Sequence, residues 1–199
     1  MYPKKNDAST MKRLTVDSRH DMNDNELMSR VADGDHAAFD TLYRRHARKL
    51  GGFFLRMLAY DTERSNDMLQ ELFTAVWTHR AGFREGHSFT TWVYTLAYNM
   101  CRNAYRHEQV RKAYETECLG RGVPCMHAGE ELERNEMKER LRRVVQELPS
   151  TQRDIFLLHY DEELTVSEVA KITGCPEGTV KSRLYSALET VRKRMKNYK

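Results

Sequence analysis

Lys181 and Arg183 stand two residues apart, among Glu177, Thr179, Ser182 and Tyr185. Side chains of these types hydrogen-bond phosphate oxygens and the base edges exposed in a DNA major groove. The element that must present them is written in the segment TVSEVAKITGCPEGTVKSRL, residues 165–184. Thr165 followed three residues later by Glu168 is a capping box, the start signal of a helix. Val169 and Ile172 give that helix an inward face, and the small Ala170 allows close approach of a second helix. Gly174 supplies the positive φ of a tight turn. Pro176 suits the first turn of the next helix, where its missing N–H would have been unpaired anyway. Val180 and Leu184, four apart, then face a core and leave the hydrogen-bonding groups outside. The pattern predicts two short helices joined steeply, a helix-turn-helix whose second member reads duplex DNA.

A second group lies in HRAGFREGHSFTTWVYTLAYNMCRNAYR, residues 79–106, where aromatic and basic residues interleave. A loop at 83–88 precedes a helix that Ser88 can cap. Phe89, Val93, Leu96, Ala97, Met100 and Ala104 fall on one face and are expected in the core. The adjoining face carries Trp92, Thr95, Asn99, Arg102 and Arg106. A ring beside an amide and two guanidiniums makes a platform for unstacked bases, with arginine meeting the backbone charge. On this segment alone, a packed surface of a core helix is the favoured account of this face.

The rest of the chain is built to carry these two groups. Its 199 residues, 40% apolar and 31% charged, suit one or two small globular domains. A mean hydropathy of -0.77 and the lack of any long apolar run argue against a membrane span. The N-terminus has no apolar stretch of the secretory kind, which places the protein in the cytoplasm. The net charge of +4 is concentrated at the C-terminus, where residues 176–199 hold seven basic side chains against two acidic ones. Such a block is the electrostatic footprint of a nucleic-acid binder, although solvated basic helices also produce it.

Apolar residues recur at intervals of three and four from 25 to 108, including Leu27, Val31, Phe39, Leu42, Phe53, Phe54, Met68, Leu72, Phe73 and Val76. No run alternates with the period of two expected of a strand, so the fold class is all-α. Gly120, Gly122, Pro124 and Gly129 crowd one stretch and mark a flexible linker. Beyond it, 130–148 repeats the helical spacing to Pro149. Ser150 is placed to cap a helix carrying Ile155, Phe156, Leu157 and Leu158, and two shorter helices follow. The expected organisation is a polar tail at 1–24, a helical bundle at 25–108, a linker at 109–130 and a second helical domain at 131–199.

Cys118, Cys125 and His127 could offer ligands to a metal, with Cys101 further off, but their spacing matches no standard zinc knuckle. No metal or cofactor is expected. No Ser-His-Asp set, paired carboxylates or glycine-rich phosphate loop suggests an enzyme.

Taken together, the two segments resemble bacterial sigma factors of the sigma-70 superfamily, in the compact extracytoplasmic-function (ECF) group that keeps only regions 2 and 4. NDMLQELF at 66–73 and FTTWVY at 89–94 are similar to region 2. Leu148-Pro149, Gln152-Arg153 and GTVKSRL at 178–184 are similar to region 4. The resemblance implies that region 2 docks on the clamp helices of the polymerase beta-prime subunit through Asp67, Gln70 and Glu71, with Trp77 packing nearby. It also implies capture of the minus-10 element as single strand by Phe83, Ser88, Trp92, Asn99, Arg102 and Arg106. Region 4 would dock on the beta flap and read the minus-35 duplex through Glu177, Thr179, Lys181, Ser182, Arg183 and Tyr185. Core RNA polymerase and promoter DNA are the implied partners, and many relatives also have an anti-sigma factor. Thr95 and Tyr98 stand where the family often has basic residues, and 118–129 matches no family motif. Two other readings stay open at this point: a stand-alone helix-turn-helix regulator, and a metal or redox protein using the linker cysteines.

Overall fold

A computed structural model describes residues 22–83, 86–115 and 132–196, and every regular element among them is helical. Cys118, Cys125 and His127, the residues of the metal or redox reading, lie outside the described residues. No helix among the described residues is long and apolar enough to cross a membrane.

Among the described residues the first half contains four α-helices, α1 (Asp24–Ala32), α2 (His36–Met57), α3 (Thr62–Thr78) and α4 (Phe89–Glu115), with a short 3-10 turn at Arg80–Gly82. Asn23 and Glu26 close a reciprocal capping box on α1, at 2.9 and 3.1 Å. Asp35 caps α2 by accepting from the amides of Ala37 and Ala38. Asp61 caps α3 through the amide of Arg64. Between α2 and α3 the chain reverses through Ala59 and Tyr60, at φ 53° and 67°. The Tyr60 amide returns to the Leu55 carbonyl at 2.7 Å, the six-to-one bond of a helix C-terminus closed by left-handed residues. Leu27, Leu42, Phe53, Phe54, Leu72, Val76, Phe89 and Val93 are buried together, as their spacing predicts. α4 runs to Glu115, past the expected boundary at 108, because nothing in QVRKAYE breaks a helix.

The second half holds α5 (Leu132–Gln146), α6 (Ser150–Phe156), a π turn (Leu157–Asp161), α7 (Val166–Thr173) and α8 (Glu177–Lys196). Ser150 does not cap α6 as expected: Pro149 occupies the cap position and no side chain caps the helix. The Pro149 carbonyl accepts the amides of Gln152 and Arg153, and its ring presets the helical entry. The last helix is also longer than expected, at 20 residues, since Ala187 and Val191 continue the buried face past Leu184. The Thr165–Glu168 capping box forms as read, and Gly174 terminates α7 at φ 67°.

α4 packs directly across α7, and the buried residues of both halves form one continuous cluster. The face of α4 turned toward the second half is a stripe that core patterning did not predict. Tyr94 and Tyr98 are 1% and 7% exposed and Cys101 is fully enclosed, with Tyr105 half-buried beyond them.

Candidate functional site

Three surfaces carry the predicted residues. On α3, Asp67, Gln70 and Glu71 are all exposed and line a shallow open groove with Thr74, Ala75, Thr78 and His79. Leu72, Phe73 and Val76 are buried behind them, so core packing alone holds the two carboxylates and the amide outward. Trp77 is not part of this groove. It is half-buried, stacked on His36 at 4.3 Å between ring centroids, edge-on to Phe39, and covered by the Arg80 guanidinium at 4.4 Å. Its part is to fix the corner where α3 ends.

The second surface is the outer face of α4. Asn99, Arg102 and Arg106 are exposed at spacings of three and four, a single strip along the helix. Trp92 lies seven residues before Asn99 on the same face, half-buried and edge-on to Phe83 at 5.6 Å. Phe83 itself is 8% exposed. It therefore anchors the base of the loop under Trp92 and offers no free ring to a ligand. Ser88 is exposed and accepts weakly from the Thr91 amide at 3.4 Å, a partial version of the expected cap. The stronger cap comes from far away in sequence: Asn25 Oδ1 accepts the Phe89 amide at 2.7 Å. Residues 84 and 85 of the loop are outside the described residues.

The third surface is the start of α8. Val180 and Leu184 are buried, while Glu177, Lys181, Ser182 and Tyr185 are exposed, Tyr185 by 70%. Thr179 is half-buried, its carbonyl accepting from the Ser182 hydroxyl at 3.0 Å. Arg183 is drawn inward, with Nη1 on the Cys175 sulfur at 3.3 Å. The structure thus keeps four of the six predicted side chains fully on the outer face.

Sequence reading missed a fourth cluster, at the seam between the halves. Glu162, with a fully enclosed side chain, accepts from the Tyr94 hydroxyl and from Arg56 Nη2. Lys49 Nζ donates to the Glu162 carbonyl at 3.1 Å, and Arg56 Nε faces Asp161 at 3.0 Å. Further along, Arg153 Nη2 donates to the Tyr105 hydroxyl at 2.9 Å, and Gln146 donates to the Arg56 carbonyl at 2.7 Å. Asp154 is enclosed beside Tyr98 and Cys101, its Oδ1 3.8 Å from Arg153 Nε and without a hydrogen bond among the described residues. Burial pushes its carboxyl up to about 6, against the pull of Arg153, Arg102 and the Tyr98 hydroxyl. Burial raises Glu162 as well, opposed by Tyr94 and Arg56. The Tyr98 and Tyr105 hydroxyls are pushed up to about 12 by the same desolvation. The available signal was the tyrosine spacing 94, 98 and 105, a helical stripe off the predicted core face. Among the described residues no group of three or more His, Cys, Asp or Glu side chains is arranged to hold a metal ion.

Residues 42–111 match the family model "Sigma-70 region 2", and residues 138–191 match "Sigma-70, region 4". The chain is 30% identical over 180 residues to the ECF RNA polymerase sigma-E factor of Haemophilus influenzae, covering 85% of this chain and 94% of that one. It is 28% identical over 180 residues to the RNA polymerase sigma-H factor of Pseudomonas aeruginosa, covering 85% and 92%. Its fold is similar to CnrH, solved in complex with the cytosolic domain of CnrY, at a TM-score of 0.68 and 20% identity over 88% of this chain and 99% of that one. It is also similar to the sigma factor RpoE of Bartonella quintana, solved with the anti-sigma factor NepR, at a TM-score of 0.67 and 18% identity over 81% and 98%.

Proposed function

The chain belongs to the ECF group of the sigma-70 family, and we propose that it divides promoter recognition between the outer strip of α4 and the start of α8. It is an alternative sigma factor: with core RNA polymerase and promoter DNA as partners it directs transcription initiation. The observation that carries the division of labour is the pair of exposed, helix-mounted strips, Asn99-Arg102-Arg106 and Lys181-Ser182-Tyr185, each backed by buried apolar residues. A rigid helix on a packed core holds polar groups at fixed spacing, which base readout requires.

In this reading Asn99, Arg102 and Arg106 meet the minus-10 strand once it is unpaired, with the edge of Trp92 beside them and Ser88 at the loop. Lys181, Ser182 and Tyr185, joined by Glu177 and Thr179, meet the minus-35 duplex in the major groove. Asp67, Gln70 and Glu71 face arginines of the beta-prime clamp helices, and α8 with its basic end lies toward the beta flap. The protein supplies binding only, and the polymerase performs the chemistry. The cytoplasm is its place of work. An anti-sigma factor is a fitting regulator, given relatives solved with such partners.

The test is run-off transcription from a genomic template library, with purified core enzyme alone and with this protein added. New transcripts sharing spaced upstream motifs are expected. If the protein binds DNA specifically by itself, fails to co-purify with core enzyme and adds no transcript, it acts as a stand-alone regulator and the reading is overturned.

A further inference from the structure

We propose that a cavity lined by the end of α2, the outer face of α5 and the π turn is a binding site for a small aromatic anion, a flat ring carrying a phosphate or a carboxylate. The cavity has a volume of about 420 Å³. Small-ligand sites span about 300 to 1,000 Å³. None of its lining side chains belongs to the surfaces of α3, α4 and α8, and the proposal does not depend on the promoter-reading assignment.

Part of the lining is aromatic. The rings of Phe156 and Tyr160 lie 4.8 Å apart between centroids, with 43° between their planes. Phe156 is buried, whereas Tyr160 is 44% exposed and leaves ring surface for a guest. Leu141, 38% exposed, and half-buried Tyr60 line the same space. Single exposed apolar side chains need no explanation, but two that line one concave cavity make a seat for a flat apolar body. Burial raises the Tyr60 hydroxyl above its ordinary value of 10.0, so this wall stays uncharged at neutral pH.

The charged part of the lining is mainly cationic. Lys138 and Arg142 are both exposed and stand four apart on α5, so their heads share one face. Like charges at that spacing repel, and an anion between them removes the repulsion. Arg56 is a third cation, but it is engaged by Asp161 at 3.0 Å and by Glu162. Asp161 is the one carboxylate among the described lining residues, and Arg56 answers it. Lys138 and Arg142 therefore decide the sign of charge that the cavity accepts.

Arg142 also joins the two parts of the lining, since its guanidinium lies 5.5 Å from the centre of the Tyr60 ring. Its contact with Glu139 is exposed and long, at 3.5 Å, and an anion can replace it at little cost. A cationic guest would be repelled by Lys138 and Arg142, and a neutral ring would leave both unused. A flat anion uses everything the cavity offers: charge-assisted hydrogen bonds to its oxygens, and aromatic contact for its ring. Two irregular stretches of backbone supply the aromatic wall, Tyr60 from the left-handed reversal after α2 and Tyr160 from the π turn. Departures of this kind collect at ligand sites.

Titration calorimetry on the full chain separates ring from charge with four probes: naphthyl phosphate, naphthoate, the neutral naphthalenemethanol, and inorganic phosphate. At least one of the two aromatic anions is expected to bind about tenfold or more tighter than both the alcohol and inorganic phosphate, and the tighter anion identifies the headgroup. Lys138→Ala with Arg142→Ala should bring the aromatic anions down to the level of the alcohol. Tyr160→Ala should bring them down to the level of inorganic phosphate. All three side chains are exposed, and circular dichroism checks that helical content is kept. Equal affinity for the alcohol and the anions would leave only an apolar surface and overturn the proposal. Inorganic phosphate binding as tightly as the aromatic anions, affinities unchanged in both variants, or no binding to the full chain would overturn it too. If a variant loses helix, amide chemical shifts of the wild type with naphthyl phosphate decide instead. Shifts are expected at Leu141 and Tyr160, and shifts confined elsewhere reject the site.

Discussion

The hydroxyl of Tyr94, midway along α4, donates to the carboxylate of Glu162, a residue 68 positions further along the chain with a fully enclosed side chain. Removing the hydroxyl leaves a buried carboxylate with one partner fewer. Tyr94→Phe is therefore expected to cost about 1 to 3 kcal/mol, the range for a buried bond to a charged group. Urea unfolding of Tyr94→Phe, Glu162→Gln and the double variant measures the coupling. A coupling energy indistinguishable from zero would show that the pair contributes nothing.

Acid should tighten the same seam. Asp154 faces Tyr98, Cys101, Arg102 and Tyr105 of α4 and Arg153 of its own helix, and its carboxyl is raised by burial to about 6 from an ordinary 3.8. A carboxyl raised in the folded state keeps its proton where the unfolded chain has released it. Its contribution is fully present below about 4 and is lost as the pH rises through about 6. Asp154→Asn removes that dependence, so wild type should lose up to about 3 kcal/mol relative to the variant between pH 4 and 7. Glu162, also raised, acts in the same direction, whereas Asp24, lowered chiefly by its hydrogen bond from His46, acts oppositely. Taking the difference between the two proteins cancels both. Parallel stability profiles would refute the assignment to Asp154.

Docking on polymerase is expected to depend on the α3 groove. Asp67→Lys with Glu71→Lys changes two exposed side chains and no core contact. Like charges across an interface cost several kcal/mol, so affinity for core enzyme should fall about a hundredfold or more at unchanged helical content. Undiminished co-purification with core would remove these residues from the interface.

Lys181 and Arg183 should behave differently on minus-35 duplex, although they are neighbours. Lys181 is exposed and suited to a phosphate, so Lys181→Ala should weaken binding on all sequences alike and reduce the salt slope by about one. Arg183 must first leave Cys175 before it can reach a base. If it then pairs with a guanine, Arg183→Ala relaxes preference at one position by about 1 to 3 kcal/mol. Equal salt slopes for wild type and Lys181→Ala would exclude the phosphate contact.

Asn99 should act in opening and not in closed binding. Asn99→Ala is expected to form the closed complex normally but to melt the promoter slowly. A template already mismatched at minus-10 should restore the rate, because the cost of unstacking has been removed. The same template should not rescue Lys181→Ala. Permanganate footprinting reads all four combinations, and wild-type opening of linear duplex by Asn99→Ala would end this role for the residue.

Local signals in the sequence translate directly into structure. Thr165 with Glu168, Gly174, and the Val180–Leu184 pair appear as read, because each is settled within one or two helical turns. The exposed residues of α3 and α4 were legible for the same reason, since a helix with a known buried face leaves the opposite one outside. Phe83 and Trp77 were harder: periodicity does not say whether an aromatic at a helix end packs or projects. The seam was invisible for a different reason. Tyr94 meets Glu162 just past an irregular turn, and no spacing rule reaches across 68 residues. Tyr98 is buried at that seam as well.

The bond from the Phe89 amide to Asn25 Oδ1 fastens the first turn of α4 to the beginning of α1. Proteolytic trimming from the N-terminus therefore has a threshold. A cut that spares Asn25 leaves α4 capped, whereas one that takes it frays the turn bearing Trp92. The damage would surface 64 positions downstream of the scissile bond, as a defect in strand separation by a protein whose duplex-reading helix is untouched.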